Sequence, residues 1–310
     1  MREVCVIGGS RYFGKRVIAR LIAAGDRVTV INRGSSPPPP GAIHLVADRN
    51  DEKSLESALG SRAFDVVIDQ VCYTPGQAEI ARRVFAGRTR RYVMTSTVEV
   101  YEYEDSAALV PEDAVDPRTI AVDLELHWDD PEFLDSHYGE GKRQAEAVFA
   151  AGGPGFPYVA VRVAHVLGGD DDFTGRLDHY ADRIRTGEPI AVPAANHPAT
   201  YIHVEEIADF LAWTAGAEFT GPVNAASHGV LTTEELCAAV AVHLPEGRTV
   251  FRSVEAGDVS PFSFTRSYGM DNSRATKLGF AFGEARNWLP GAVAETLRKD
   301  TGNQALRKDN

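Results

Sequence analysis

With 310 residues and 44% hydrophobic content, the chain can bury a full core, as one large domain or a large domain carrying a smaller lobe. Its 32 basic and 44 acidic residues leave a net charge of −12, which opposes nonspecific attraction to nucleic acid or an anionic membrane, so neither is an expected partner. No apolar run approaches the roughly 20 residues of a membrane helix, and the start is not a charged-then-apolar signal segment, which makes the cytoplasm the expected compartment.

Glu3 to Ile7 is a short apolar run that reads as a strand. It leads into Gly8-Gly9-Ser10-Arg11-Tyr12-Phe13-Gly14 and then into a helical pattern, Val17, Ile18, Leu21 and Ile22. Such a glycine turn lets the backbone approach a pyrophosphate closely, and the first amides of the helix hold the anion. Arg11 stands where a middle glycine is common in dinucleotide-binding turns. Arg27 to Ile31 reads as a second strand, Ile43 to Val46 as a third, Phe64 to Asp69 as a fourth and Arg91 to Thr95 as a fifth, with helical patterns at 52–59 and 75–86. Pro37 to Pro40 makes a stiff extended loop after the second strand. Strands alternating with helices predict an α/β fold with a doubly wound parallel sheet, in which ligands bind beyond the carboxyl ends of the strands. Those ends carry the glycine turn, Asn32-Arg33, Asp48-Arg49, Val71 and Thr95-Ser96-Thr97. Three scattered cysteines, Cys5, Cys72 and Cys237, indicate neither a disulfide framework nor a thiolate site, and no metal is expected.

From Glu102 to Asp135 the chain is strongly acidic, with a single Arg118. This segment is either a solvated loop or a lid that discourages polyanions, since it links the fifth strand to the helix that follows. That helix starts in Ser136-His137-Tyr138-Gly139-Glu140-Gly141-Lys142. Residues four apart share a helix face, so Lys142 is expected beside the Tyr138 ring, where its ammonium would favour the phenolate over a phenol that otherwise titrates near pH 10. A Tyr followed four later by Lys arises by chance roughly 0.2 times in such a chain, so the pair takes its weight from the turn and strand ends around it. A sixth strand, Tyr158 to Val163, follows.

Three motifs in order, Gly8-x-x-x-x-Phe13-Gly14, Ser96-Thr97-x-x-Val100-Tyr101 and Tyr138-x-x-x-Lys142, resemble the extended short-chain dehydrogenase/reductase family of the NAD-dependent epimerase/dehydratase type. Val161-Arg162 with Gly168, Tyr201 to Ala208, Gly221 to Ala225 and Asp271 to Gly279 extend the resemblance over nearly the whole chain. It implies a Rossmann-like domain over 1–165, to which 200–225 returns, and a smaller C-terminal substrate-binding lobe from 166–199 and 226–310. It implies that Thr97 donates a hydrogen bond to the substrate oxygen, that Tyr138 transfers its proton, and that Lys142 holds the nicotinamide ribose while lowering the phenol pKa. The cofactor contacts carried over are Gly8, Ser10, Arg11, Tyr12, Phe13, Gly14, Asn32, Arg33, Asp48, Arg49, Val71 and Thr95, with Asp48 and Arg49 at the adenine and Val71 and Phe13 at the nicotinamide. Substrate contacts fall on Thr97, Val98, Glu99 and His165, with Tyr180 and Phe262 as further pocket candidates. His203 is expected to be an ordered residue at the lobe junction. The residues leave the oligomeric state open, and the family implies a homodimer as one option.

Charge at the second strand argues for the cofactor. A carboxylate there accepts ribose hydroxyls, whereas a 2′-phosphate calls for arginine; Asn32-Arg33, with Arg11 opposite, predicts NADP(H) over NAD(H). Two departures narrow the substrate. Dehydratases of the family typically carry an Asp-Glu pair where this chain has Val98-Glu99, which removes the general acid of elimination and leaves Glu99 as a base. Arginines that grip a substrate diphosphate in many members are replaced by Ala199-Thr200 and Glu255-Ala256, leaving Arg252, Arg266 or Arg185 to substitute. The expected function is an NADP(H)-dependent oxidoreductase interconverting a carbonyl and a secondary alcohol on a small organic substrate. The alternatives are a nucleotide-sugar epimerase with tightly bound NAD and a non-catalytic dinucleotide-sensing or RNA-binding relative.

Overall fold

A computed structural model describes residues 1–104, 106–255 and 258–308, with side chains through Arg298. Asp105 of the acidic segment and Ala256 lie outside the described residues. The first half alternates strand and helix: β1 (Glu3–Ile7), α1 (Phe13–Ala23), β2 (Arg27–Asn32), β3 (Ile43–Val46), α2 (Glu52–Leu59), β4 (Val66–Asp69), α3 (Pro75–Phe85) and β5 (Tyr92–Thr97). After the acidic segment come α4 (Pro131–Ser136), α5 (Tyr138–Ala150), β6 (Tyr158–Val163), β7 (His165–Leu167), α6 (Arg176–Thr186), β8 (Ile190–Pro193), β9 (Ala199–His203), α7 (Val204–Thr214) and β10 (Gly221–Ala225). The remainder is β11 (Val230–Leu231), α8 (Thr233–Val242), β12 (Phe251–Val254), α9 (Ser273–Lys277) and α10 (Ala285–Lys308).

Seven strands form one sheet in the order β10-β6-β5-β4-β1-β2-β3, and every pairing in it is parallel. The expected doubly wound sheet is therefore present, with β10 as a seventh strand. Its central strands are rich in Val and Ile and buried on both faces because helices cover both sides. Side chains alternate across the sheet: Val4 and Val6 pack with Val17, Ile18 and Leu21 of α1 and with Ile207 and Leu211 of α7. Cys5 and Ile7 face the other way, toward Leu55, Ala81, Phe85 and Phe149 of α2, α3 and α5. At about 1.5–3 kcal/mol for each large apolar side chain removed from water, these two layers supply most of the drive that fixes the strand ends. A third core, which includes Leu177, Tyr180, Ile190, Tyr201, Leu236 and Leu289, gathers α6, α8, α10 and two small sheets, β11-β9-β7 and β12-β8.

The acidic segment is anchored at a few points, while most of its carboxylates, Asp113, Asp123, Glu125, Asp129, Asp130, Glu132 and Asp135 among them, face solvent as a solvated loop would. The fully buried Arg162 of β6 forms an ion pair with Glu146 at 2.6 Å and donates to the carbonyls of Glu112 and Val115 at 2.8 and 2.9 Å. The Asn224 amide of β10 donates to the Glu112 carboxylate at 2.8 Å, and Gln144 of α5 accepts from the Asp123 amide at 2.8 Å. Trp128 is buried and its indole donates to the Asp123 carbonyl. Glu102 and Asp135, near the two ends of the segment, line the cleft described below.

Candidate active site

A cleft of about 1070 Å³ runs along the carboxyl ends of β1 to β6. It is lined by Gly8, Ser10, Arg11, Tyr12, Phe13, Asn32, Arg33, Asp48, Arg49, Val71, Thr95, Thr97, Val98, Glu99, Tyr138, Lys142 and His165, so the structure brings together the site residues expected from sequence except Gly14 and the further pocket candidates Tyr180 and Phe262. Gly14 lies inside α1, where a Cβ would stand 2.5 Å from the Gly9 Cα, and its role is to let the helix press onto the turn. Gly8 and Gly9 adopt φ of +83° and +76°, conformations that cost a side-chain-bearing residue about 1–2 kcal/mol. No side chain caps the start of α1, and its first turn carries no carboxylate.

At the second strand, the Asn32 amide nitrogen donates to Ser10 Oγ at 2.9 Å and to the Ser36 carbonyl at 3.0 Å, while its oxygen accepts from the Gly34 amide at 2.7 Å. Asn32 and Ser10 thus organise the turn that presents Arg33. Arg49 lines the cleft, and its guanidinium pairs with Asp69, whose carboxylate also accepts from Tyr92 at 2.6 Å and from the Val71 amide at 2.9 Å. Burial and the Asp69 charge commit that side chain to bracing β4. The Tyr12 hydroxyl donates to the Gly168 carbonyl at 2.7 Å, and the residue sits at φ 50°. It lines the cleft while tying the glycine turn to the 168–175 loop.

Thr97 ends β5, and its Oγ accepts from the Glu99 amide at 3.3 Å, which leaves its proton to donate. Its hydroxyl meets the Tyr138 phenol. Two glycines permit this approach: a Cβ on Gly139 would lie 2.5 Å from the Glu99 carbonyl, and one on Gly141 would lie 2.4 Å from the Tyr73 carbonyl. Glycine inside a helix costs roughly 1 kcal/mol, and here that cost brings the first turn of α5 against β5 and the loop after β4. Sequence reasoning passed over both glycines although they flank the pair in Tyr138-Gly-Glu-Gly-Lys142. It also missed Tyr73, whose ring centroid lies 6.2 Å from that of Tyr138 and 4.5 Å from the Lys142 nitrogen.

Lys142 stands over the Tyr138 ring, as its spacing predicts. Its ammonium donates to the Thr95 carbonyl at 2.7 Å and stands 5.7 Å from the Tyr138 ring centroid. Burial raises the Tyr138 phenol well above its ordinary value, with Tyr73 and Glu99 adding to the rise, so the phenol keeps its proton. Burial pushes Lys142 itself down to about 8. Thr95 lines the cleft, and its hydroxyl is buried and lacks a hydrogen-bond partner.

Glu99 is half-buried and held from the C-terminal part of the chain: Tyr268 donates to it at 3.0 Å and Arg266 lies 3.7 Å away. Burial raises its carboxyl, with Tyr268 and Arg266 working against the rise. His165 lines the cleft, while Tyr180 and Phe262 are buried behind it. Arg176, at the start of α6, enters the cleft wall without having been singled out from sequence; nothing in its local pattern separates it from a surface arginine. Of the expected substitutes for a diphosphate grip, Arg185 pairs with Asp182 and Arg252 is exposed on β12, so only Arg266 approaches the site. His203 accepts from the Glu205 amide at the start of α7, and its ring lies 3.6 Å from Glu295 and against Trp288, a junction role. Among the described residues no cluster of His, Cys, Asp and Glu has the form of a metal site, and no helix is long and apolar enough to cross a membrane.

The positive-φ turn, the uncapped start of α1 and the unpartnered Thr95 hydroxyl fit a nicotinamide dinucleotide stretched along the cleft. The sequence agrees with that fit: the family model for the NAD dependent epimerase/dehydratase family matches residues 4–226. The chain belongs to this family. It is 24% identical over 225 residues to chloroplast stem-loop binding protein of 41 kDa b from Arabidopsis thaliana, covering 67% of this chain and 53% of that protein. It is 32% identical over 96 residues to 2′-dehydrokanamycin reductase from Streptomyces kanamyceticus, covering 30% of this chain and 27% of the reductase. The chain thus spans about half the length of the first relative and about a quarter of the second. Among solved structures, a UDP-glucose 4-epimerase with UDP-glucose from Thermotoga maritima superposes with a TM-score of 0.72 at 19% identity, covering 96% of this chain and 99% of that one. WbmH of Bordetella bronchiseptica, in complex with NAD+, gives 0.71 at 17% identity, over 95% and 98% of the two chains. At these identities the superpositions establish the extended Rossmann-like fold of the family.

Proposed function

We propose that this family member is an NADP(H)-dependent oxidoreductase that interconverts a carbonyl and a secondary alcohol on a small organic substrate. The observation that carries the reading is the charge at the end of β2. Asn32 to Ser36 offers no carboxylate for ribose hydroxyls, and Arg11 and Arg33 both line that end of the cleft. The glycine turn would hold the pyrophosphate, and Lys142, Thr95, Val71 and Phe13 the nicotinamide half. A bound nicotinamide supplies or accepts hydride at the substrate carbon. Thr97 orients the substrate oxygen, and Tyr138 gives that oxygen a proton on reduction and recovers it on oxidation. A phenol that keeps its proton is loaded for the reductive direction. Val98 supplies no acid for elimination, and Glu99 is engaged by Tyr268 and Arg266.

A second reading, a nucleotide-sugar epimerase that retains NAD, is favoured by Arg176 and Arg266, two guanidiniums toward the substrate end. Against it, Ala199 and Thr200 are buried in β9, with Thr200 donating to the Tyr268 carbonyl, so that segment offers no cation for a diphosphate. A stem-loop binding role, as the chloroplast relative's name carries, is opposed by the net charge of −12 and by the assembled Thr97, Tyr138 and Lys142. The test is a fluorescence titration of the dinucleotide-free protein. NADPH is expected to bind at least ten times more tightly than NADH, with Arg33→Ala erasing most of the difference; tighter binding of NADH sinks the NADP assignment.

A further inference from the structure

We propose that Tyr73 is a positioning residue for the reduction: the face of its ring, together with the Thr95 carbonyl, holds the Lys142 ammonium in place at the nicotinamide end of the cleft. The inference rests on the oxidoreductase reading, in which Lys142 holds the nicotinamide ribose, and adds to it a residue outside the three motifs.

Tyr73 lies in the loop between β4 and α3 and lines the cleft, as Tyr138 and Lys142 do. Its backbone is clamped from two sides. The amide donates to Gln77 Oε1 of α3 at 2.6 Å, and a Cβ on Gly141 of α5 would stand 2.4 Å from the carbonyl. The ring therefore starts from a fixed point between two helices. The Lys142 nitrogen stands 4.5 Å from the Tyr73 centroid and 5.7 Å from that of Tyr138, and the two rings are 6.2 Å apart with a tilt of 46°. Both distances fall within the roughly 6 Å over which a ring face attracts a cation, and Tyr73 is the nearer.

The surroundings of the lysine show why a ring face matters there. Lys142 is 1% exposed, and of its three donors one goes to the Thr95 carbonyl at 2.7 Å. The carboxylates that act on it are already paired, Asp69 with Arg49 and Glu146 with Arg162, and Arg49 itself opposes the ammonium. Cys72 acts on it too, but burial pushes that thiol up to about 12, so it stays neutral. Burial, with Asp69 adding to it, also raises the Tyr73 phenol, so what meets the ammonium is the face of an uncharged ring. That face favours the charged lysine, whereas aliphatic carbon in its place would not.

The experiment uses the full chain, with fluorescence titration of NADPH and kcat/KM for NADPH with cyclohexanone, each from pH 6.5 to 9.5. Both report groups of the free enzyme, and in wild type both should fall along an alkaline limb near pH 8, where Lys142 loses its proton. Tyr73→Phe keeps the ring and should leave the limb in place. Tyr73→Leu keeps the bulk and loses the ring face, so the limb should move down by about half to one pH unit. NADPH affinity should then drop about threefold to tenfold at pH 9 and hardly change at pH 6.5. Because Tyr73→Leu could fail to fold, a series of Tyr73→Phe carrying one, two or three ring fluorines keeps the shape while draining charge from the face; the limb should move down with each fluorine. A wild type without the limb, a limb indifferent to fluorination, or a limb that moves as far in unfluorinated Tyr73→Phe overturns the assignment. So does an equal loss of affinity at pH 6.5 and 9 in Tyr73→Leu, which marks a merely structural effect. If no NADPH is consumed, the reductase reading fails and the binding series still judges Tyr73; consumption of NADPH with a limb that fluorination does not move rejects Tyr73 alone.

Discussion

Lys142 shows how far a residue's chemistry departs from its sequence neighbourhood. Its spacing from Tyr138 was legible, because four residues make a helical turn, and so was Thr97, at a strand end. Its titration was not, since that depends on burial supplied by α3, β4 and β5. The ammonium is depressed to about 8 by burial, against an ordinary value near 10.4 in the unfolded chain. Between those values the unfolded chain holds the extra proton, so folding stability rises as pH rises from about 8 to 10, and below pH 8 the full cost of the buried charge remains. Lys142→Met should therefore stabilise the cofactor-free protein at pH 7 by about 1–3 kcal/mol in denaturant unfolding, after allowing for the lost bond to Thr95, and the gain should shrink by pH 9.5. A gain of equal size at both pH values would show that charge burial is not its origin. His165 was visible as a position, but the rings packed on it were not, because Phe262, Phe264 and Tyr268 arrive from about a hundred residues downstream.

Among the elements, the glycine turn was the most legible, because its geometry is a local demand on the backbone. Gly8 combines a left-handed φ with a Cβ position 2.8 Å from the Val71 side chain. Gly8→Ala is predicted to cost about 1–3 kcal/mol in thermal or denaturant unfolding and to weaken dinucleotide binding. Adding Val71→Ala should recover only part of the loss, since it relieves the contact and leaves the φ; complete recovery would assign the whole effect to the contact. The start of α5 was half legible: the Tyr-Lys pair stood out, while Gly139 and Gly141 read as poor helix formers until the Glu99 and Tyr73 carbonyls were seen against them. The acidic segment gave no local sign of being anchored. Its fasteners, Arg162, Asn224 and Gln144, belong to β6, β10 and α5, and only the tertiary fold brings them to it.

For the molecule as a whole, strand and helix alternation gave the parallel sheet and placed the cleft at its carboxyl ends, because burial on both faces writes continuous apolar strands. The C-terminal sheets were less visible, being built from strands of two to five residues whose partners are distant in sequence. The same division runs through the function. In the proposed function the dinucleotide half is made from local motifs at successive strand ends, and the substrate half from side chains such as Glu99, His165, Arg176 and Tyr268 that meet only after folding. The two halves join at Tyr138, so the central claim, carbonyl reduction with that phenol as proton donor, is tested most directly by the loss of reduced-nicotinamide absorbance when NADPH and a ring ketone are mixed with wild type and with Tyr138→Phe. Wild type should consume NADPH, and Tyr138→Phe should be slower by about 100-fold or more while binding NADPH within threefold of wild type. A wild type that retains dinucleotide through purification and epimerises a nucleotide sugar without net consumption of NADPH would contradict the account.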